Sequence, residues 1–350
     1  MKNKTVKLVI AFVLIMSASC DEPLTIVTNY VHSDGSVTRK IEMRSSKNNF
    51  KKSDIQVPFD NSWTVKDSLE INGKGDTTWI KRAEKLYKNV AEINLDYKTD
   101  SGGNKGISRQ AGFKKSFRWF NTEYRYSEKI DKKLLYGYPI KDFLNSEELV
   151  YFYSPESLRH EKEKGPDSTK FKALSASVKE KTDNWTYKNL VSEWIGLFSG
   201  LTAGKRGDDF KEETLKSREN EIMGIVIKNE EKFDSLWSNG YILKEIIGES
   251  NAVKYRAEAD SAIKTAEANL LLDFKNYSVR IVMPGKLLGT NGFIDSSQVL
   301  LWPVESDYFL SEPYEMWAES KVPNTWAWIV SGLFLAFVIT GVIVRLIKKD

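Results

Sequence analysis

The sequence predicts an α+β fold: a mainly antiparallel sheet drawn from N- and C-terminal segments, a helical insertion between them, and one C-terminal transmembrane helix. Three observations lead there. Apolar and polar residues alternate with period two through much of 24–130 and again through 277–320, the spacing of half-buried strands. From about 134 to 274 the apolar period lengthens toward 3.6. Residues 326–344 are uncharged and apolar on every face.

The elements follow in order. Runs 24–31 and 37–43 are rich in β-formers and are joined by His32-Ser33-Asp34-Gly35-Ser36, a short Asp-Gly connection that favours a hairpin. Further strands are expected at 63–69, 92–97 and 117–126, with a short helix over 79–88. In the insertion, Tyr187, Leu190, Val191, Trp194, Ile195 and Phe198 fall at i, i+3, i+4, i+7, i+8 and i+11, one stripe of a helix that Asp183 would cap. Other helices are expected near 208–220 and 256–274, and the polar segment 160–169 with its Gly-Pro break is read as a loop. Tyr277, Val279, Ile281 and Met283 alternate up to a Pro284-Gly285 turn, Thr290-Asn291-Gly292 makes a second turn, and 299–304 and 314–320 complete the strands. The segments are then a signal peptide at 1–19, a β-rich part at 20–133, the helical insertion at 134–276, closing strands at 277–322, the span at 326–344 and a basic tail at 345–350.

The two ends carry the clearest physical signals. Lys2, Lys4 and Lys7 precede an apolar run too short for a bilayer, which matches a signal-peptide h-region. Ser17-Ala18-Ser19-Cys20 resembles the bacterial lipoprotein signal, in which the cysteine thiol is acylated and becomes the mature N-terminus; Ser17 stands where Leu is usual. An ordinary signal peptide cut near Ala18 or Ser19, or an uncleaved anchor, is the alternative. At the other end, nineteen residues at about 1.5 Å each give roughly 28 Å, the thickness of the hydrocarbon core. Trp326 and Trp328 sit at an interfacial aromatic belt, and Arg345, Lys348 and Lys349 form a positive-inside flank. The expected location is the cytoplasmic membrane, with 20–325 extracytoplasmic and tethered at both ends.

Composition excludes several classes. Of 350 residues, 52 are Lys or Arg and 48 are Asp or Glu, a formal charge of +4 that resides in the two ends and leaves the bulk close to neutral, so no nucleic-acid partner is expected. One cysteine rules out an intrachain disulfide, and two histidines without metal-ligand spacing leave no expected metal or cofactor. Gly200-Leu201-Thr202-Ala203-Gly204-Lys205-Arg206 has glycines four apart rather than five and Arg where a phosphate loop needs Ser or Thr, so it is read as a helix stop.

Cys20, the Ser33-Asp34-Gly35-Ser36 hairpin, the Met283-Pro284-Gly285-Lys286…Thr290-Asn291-Gly292…Trp302 stretch and a terminal apolar helix with a basic tail are together similar to the LppM-like envelope lipoproteins. The resemblance covers about 20–45 and 277–350. It implies a small α/β or β-rich domain, anchored at both ends and suspected of binding lipid. It implies no catalytic residues, and the long helical middle departs from the smaller family domain.

Among candidate binding residues, the segment 113–126 stands out: Phe113, Phe117, Trp119, Phe120, Tyr124 and Tyr126 interleave with Lys114, Lys115, Arg118 and Arg125. Cations beside aromatics suit an anionic lipid head group or a glycan. A half-buried strand with aromatics inward and cations outward has the same pattern. Segment 308–317 is read two ways, as head-group-level aromatics or as a packed strand. Asp208-Asp209 and Glu212-Glu213 are read as a solvated face rather than glycosidic carboxylates. The expected function is non-catalytic, binding membrane lipid or an inner-membrane protein complex, with Cys20 as the lipidation site and Lys114, Lys115, Arg118, Trp119 and Arg125 as ligand contacts. The alternative is an envelope glycan- or lipid-processing hydrolase using carboxylates that the sequence does not reveal.

Overall fold

A computed structural model describes residues 24–348 except 49, 51–56, 72, 74, 101–106, 134–135, 165–167, 206, 208, 271–273 and 296–298, and except the side chains of 161–164. The expected signal peptide, the Cys20 lipidation site, Lys349 and Asp350 lie outside the described residues. The chain opens with strands β1 (Leu24–Val31) and β2 (Val37–Ser45), paired antiparallel from Leu24↔Arg44 to Val31↔Val37. Their turn forms as the Asp-Gly signal requires: Asp34 Oδ1 accepts from the Ser36 backbone N–H at 2.9 Å and its hydroxyl at 2.7 Å, and Gly35 takes φ +95°. A Cβ at Gly35 would stand 2.9 Å from the Phe113 ring, so the turn also tolerates no side chain.

Two local expectations are overturned next. Residues 79–88, expected as a helix, belong to strand β4 (Thr77–Tyr87), which pairs along its length with β2 and with β3 (Thr64–Ile71). Trp79, Lys81, Ala83, Lys85 and Tyr87 share one face with period two, and two neighbouring ladders outweigh the modest helix propensity of Lys, Arg, Ala and Glu. Conversely, 92–97, expected as a strand, lies in helix α1 (Val90–Thr99). Asn89 caps it through the Ala91 and Glu92 N–H groups, and Ile93 and Tyr97, four apart, are its buried pair. The expected strand 117–126 is broken by a turn at 118–120 into β5 (Arg109–Phe117) and β6 (Asn121–Ile130), an antiparallel hairpin with Phe117 opposite Thr122.

The middle of the chain is helical. Helices α2 (Ser146–Tyr153) and α3 (Glu156–Lys164) precede α4 (Ser168–Thr202), 35 residues long and therefore about 52 Å. Asp183 is inside α4, not at its cap, and His160, expected in a loop, is in α3. The helix stops at Thr202, as the Gly200–Gly204 spacing predicts. Short helices α5 (Glu212–Ser217), α6 (Glu219–Lys228), α7 (Phe233–Ser238), α8 (Tyr241–Ile247) and α9 (Glu249–Lys254) lead into α10 (Arg256–Leu270). The C-terminal strands are β7 (Tyr277–Val282), β8 (Lys286–Thr290), β9 (Phe293–Ile294), β10 (Leu300–Val304) and β11 (Tyr314–Pro323), followed by α11 (Thr325–Ile347).

The fold is α+β, with two sheets in place of the one expected. Seven strands run in the order β3-β4-β2-β1-β7-β10-β9 and four in the order β5-β6-β11-β8, all pairs antiparallel except β1 with β7. The inner faces share one apolar core, including Val27, Ile41, Tyr126, Ala318 and Trp302. A second core, including Leu190, Trp194, Phe198, Ile242 and Ala262, is built by helices alone. Helix α4 joins them: Val178 and Trp185 belong to the sheet core, and the stripe from Leu190 to Phe198 belongs to the helical one. Trp185 and Trp194 are thus interior residues.

Candidate interfacial site at the hairpin tip

The turn between β5 and β6 docks on the start of α11, and the contact begins with one residue. Asn324, just before the helix, donates from Nδ2 to the carbonyls of Arg118 (2.7 Å) and Trp119 (3.2 Å), and its Oδ1 accepts from the Thr122 hydroxyl at 2.9 Å. Its backbone N–H reaches the Phe120 carbonyl at 3.0 Å. Three of these four hydrogen bonds therefore replace the partners that the turn carbonyls would otherwise find in water. Trp328 Nε1 adds a bond to the Phe120 carbonyl at 3.2 Å, and Trp119 Nε1 donates to the Ser331 hydroxyl at 2.9 Å.

The rings close into a collar. Phe120 lies 4.4 Å from Trp328 between centroids, Trp119 lies edge-on to Trp326 at 5.4 Å, and Phe117 stacks on Trp326 at 6.3 Å. All five rings remain 40–58% exposed, which is unlike a packed core and like a belt that meets a second solvent. Ser331 is six residues beyond Thr325, roughly 9 Å down the helix axis, so the Trp119 side chain reaches below the first turn of α11.

The five expected ligand contacts do not form one site. Arg118 and Trp119 are at the tip, with Arg118 exposed and 3.4 Å from Glu123. Lys115 is on the face that continues the core; its ammonium donates to the Ser33 carbonyl at 3.1 Å and lies over the Tyr124 ring. Lys114 and Arg125 are opposite each other on the outer face. Arg125 is occupied there, stacked 4.5 Å from Trp317 and paired with Glu319 at 2.7 Å and Glu315 at 3.5 Å. Phe120, Asn324 and Ser331 complete the collar, and nothing in their spacing indicates that residue 119 meets residue 331.

The remaining candidates resolve into structure. Tyr308, Phe309, Leu310, Tyr314 and Met316 are buried, so 308–317 packs in the core rather than at head-group level. Asp209 pairs with Lys254 and Tyr255, and Glu212 with Lys216, so these two carboxylates do not converge; Asp208 lies outside the described residues. Burial raises the carboxyls of Glu305 and Asp307 above their ordinary range. Neither lines the apolar cleft of ≈ 220 Å³ formed by Val150, Tyr151, Leu158, Phe171, Leu174 and Phe293 with Arg159 and Glu147 beside them. That volume is below the roughly 300–1,000 Å³ of small-molecule sites. Among the described residues, no group of three or more His, Cys, Asp or Glu is arranged to hold a metal.

These features define a two-sheet α+β protein in which one helix among the described residues, Thr325–Ile347, is long and apolar enough to cross a membrane. No protein-family profile and no curated protein matches the chain. Among solved structures it is similar to the folded domain of Mycobacterium tuberculosis LppM, determined by NMR: 8% identity, 87% of this chain and 92% of that chain covered, TM-score 0.27. At that distance no ligand, partner or residue role passes from one to the other.

Proposed function

We propose that this protein is a membrane-tethered, non-catalytic surface module whose extracytoplasmic domain rests on the bilayer through the 117–120 tip and the start of α11. The observation that carries the reading is the Trp119–Ser331 hydrogen bond. It ties the domain to the membrane-crossing helix at a level where interfacial tryptophans are favoured. The ligand of this site is membrane lipid with an anionic head group: exposed Arg118 beside exposed aromatic rings supplies charge and an interfacial surface together. Acylation at Cys20 would add a second tether, and the basic flank after the span favours a cytoplasmic C-terminus. Confinement to the surface raises the effective concentration toward membrane partners without tight intrinsic affinity.

The test is immersion depth. A nitroxide placed at Arg118→Cys in the full chain, reconstituted in vesicles with the native cysteine replaced, reports collisions with oxygen and with a water-soluble nickel chelate. Head-group depth supports the reading, and full exposure to the aqueous reagent refutes it. Native mass spectrometry of gently extracted protein then asks which lipid class is retained; a membrane protein retained in place of lipid would favour a complex subunit.

A further inference from the structure

β3 is the only strand among the described residues whose every side chain is exposed. It pairs with β4 from Thr64↔Glu84 to Ile71↔Thr77 and ends the seven-stranded sheet, so among the described residues its outer edge presents unpaired backbone groups. Eight residues without Pro or Gly make this a long edge. One face carries Val65, Leu69 and Ile71, exposed to 42%, 46% and 66%, with Asp67 among them paired to Lys81 of β4 at 3.1 Å. The other carries Lys66 and Glu70: Lys66 is opposite Arg82, a like charge, whereas Glu70, half-exposed, already meets Arg44 at 3.2 Å and Arg82 at 3.7 Å within its own chain.

From this edge we propose that a second copy of the chain adds β3 to β3 antiparallel about a two-fold axis through Ser68, joining two seven-stranded sheets. A two-fold perpendicular to the sheet keeps each side chain on its own face, so only registers centred on a residue are allowed. Centring on Lys66 or Asp67 sets a charge against its own copy. Centring on Leu69 leaves Lys66 without Glu70. Centring on Ser68 sets Lys66 opposite the second copy's Glu70, and Glu70 opposite its Lys66; on the other face Val65 meets Ile71 twice, and Asp67 lies opposite Leu69 while keeping Lys81 of its own chain. Lys66 and Glu70 are thus complementary across the axis in this register alone, and it sets a carboxylate directly opposite Lys66, where β4 sets Arg82.

The test uses the full chain in detergent micelles. Ser68→Cys should form an intermolecular disulfide on mild oxidation, because the axis brings the position onto itself, whereas Thr64→Cys should cross-link no more than the unsubstituted chain. Lys66→Glu and Glu70→Lys should each weaken self-association about tenfold, the effect of roughly 1.4 kcal/mol across two reversed cross-strand pairs. Mixing those two variants should restore association as a heterodimer, since every opposed pair is again of opposite sign, and so should the double variant K66E/E70K. Cross-linking at 68 that does not exceed that at 64, or a mixture no stronger than its components, would overturn the proposal.

Discussion

The Arg39 guanidinium and the Glu128 carboxylate meet at 2.6 Å between the two sheets, with side chains only 1% and 8% exposed. Arg39 comes from β2 and Glu128 from β6, so the pair joins the sheets across the core. It is fully partnered: Asn29 accepts from Arg39 Nε at 2.7 Å, and Tyr97 and Tyr126 each donate to Glu128 at 2.6 Å. Burial is the largest single influence and opposes the charge on Arg39, but Glu128 together with Tyr97, Tyr126 and Tyr87 outweighs it and holds the guanidinium above its ordinary range.

Removing one member of this pair leaves an unpaired buried charge. Arg39→Met or Glu128→Leu alone is expected to cost about 3–5 kcal/mol, and the double variant should recover much of that loss. Urea unfolding of the full chain in micelles, followed by near-ultraviolet dichroism, measures it; additive single effects would contradict the argument.

Asn324→Ala should release the hairpin tip from α11. Three side-chain bonds are lost at about 1 kcal/mol or less each at this partly exposed site, and amide exchange at 118–121 should quicken while the rest of β6 stays protected. Unchanged exchange there would show that the aromatic rings suffice.

Gly285 takes φ +75°, and a Cβ there would press on the Lys321 backbone and stand 2.7 Å from the Val322 side chain. Gly285→Ala is expected to destabilise by at least about 1–3 kcal/mol, more than the backbone term alone where β8 cannot shift. A midpoint in urea equal to that of the parent would show that β8 does shift.

Glu148 predicts the direction of an acid transition. Its carboxylate accepts from Lys181 at 2.6 and 2.8 Å and from the Asn145 N–H at 2.9 Å, which lowers its pKa from 4.5 to about 2. A depressed pKa stabilises the fold at pH above the ordinary value, and that contribution disappears as pH falls from about 4.5 toward 2. Glu148→Gln should flatten this part of the stability profile, read as melting temperature between pH 5 and pH 2. An unaltered profile would assign the transition to other groups.

The amino-acid sequence by itself determined the elements whose cause is local. The Asp34-Gly35 turn, the alternation of β1 and β7, the 190–198 stripe and the apolar length of α11 follow from backbone conformation, side-chain period and rise per residue, and each is where spacing places it. Tertiary structure decided the rest. Residues 77–87 are a strand because β2 and β3 flank them, and 90–99 are a helix because Asn89 caps it and Ile93 and Tyr97 find the core; neither segment's propensity separates these outcomes. The candidate site divides in the same way. Residues 113–126 are legible as aromatic and basic, but only the hairpin sends Arg125 to Glu319, Lys115 to Ser33 and Trp119 to Ser331. Partners more than eighty residues apart in all three cases leave no periodic trace in a single chain. They are chosen when two sheets and a helix fix which surfaces meet.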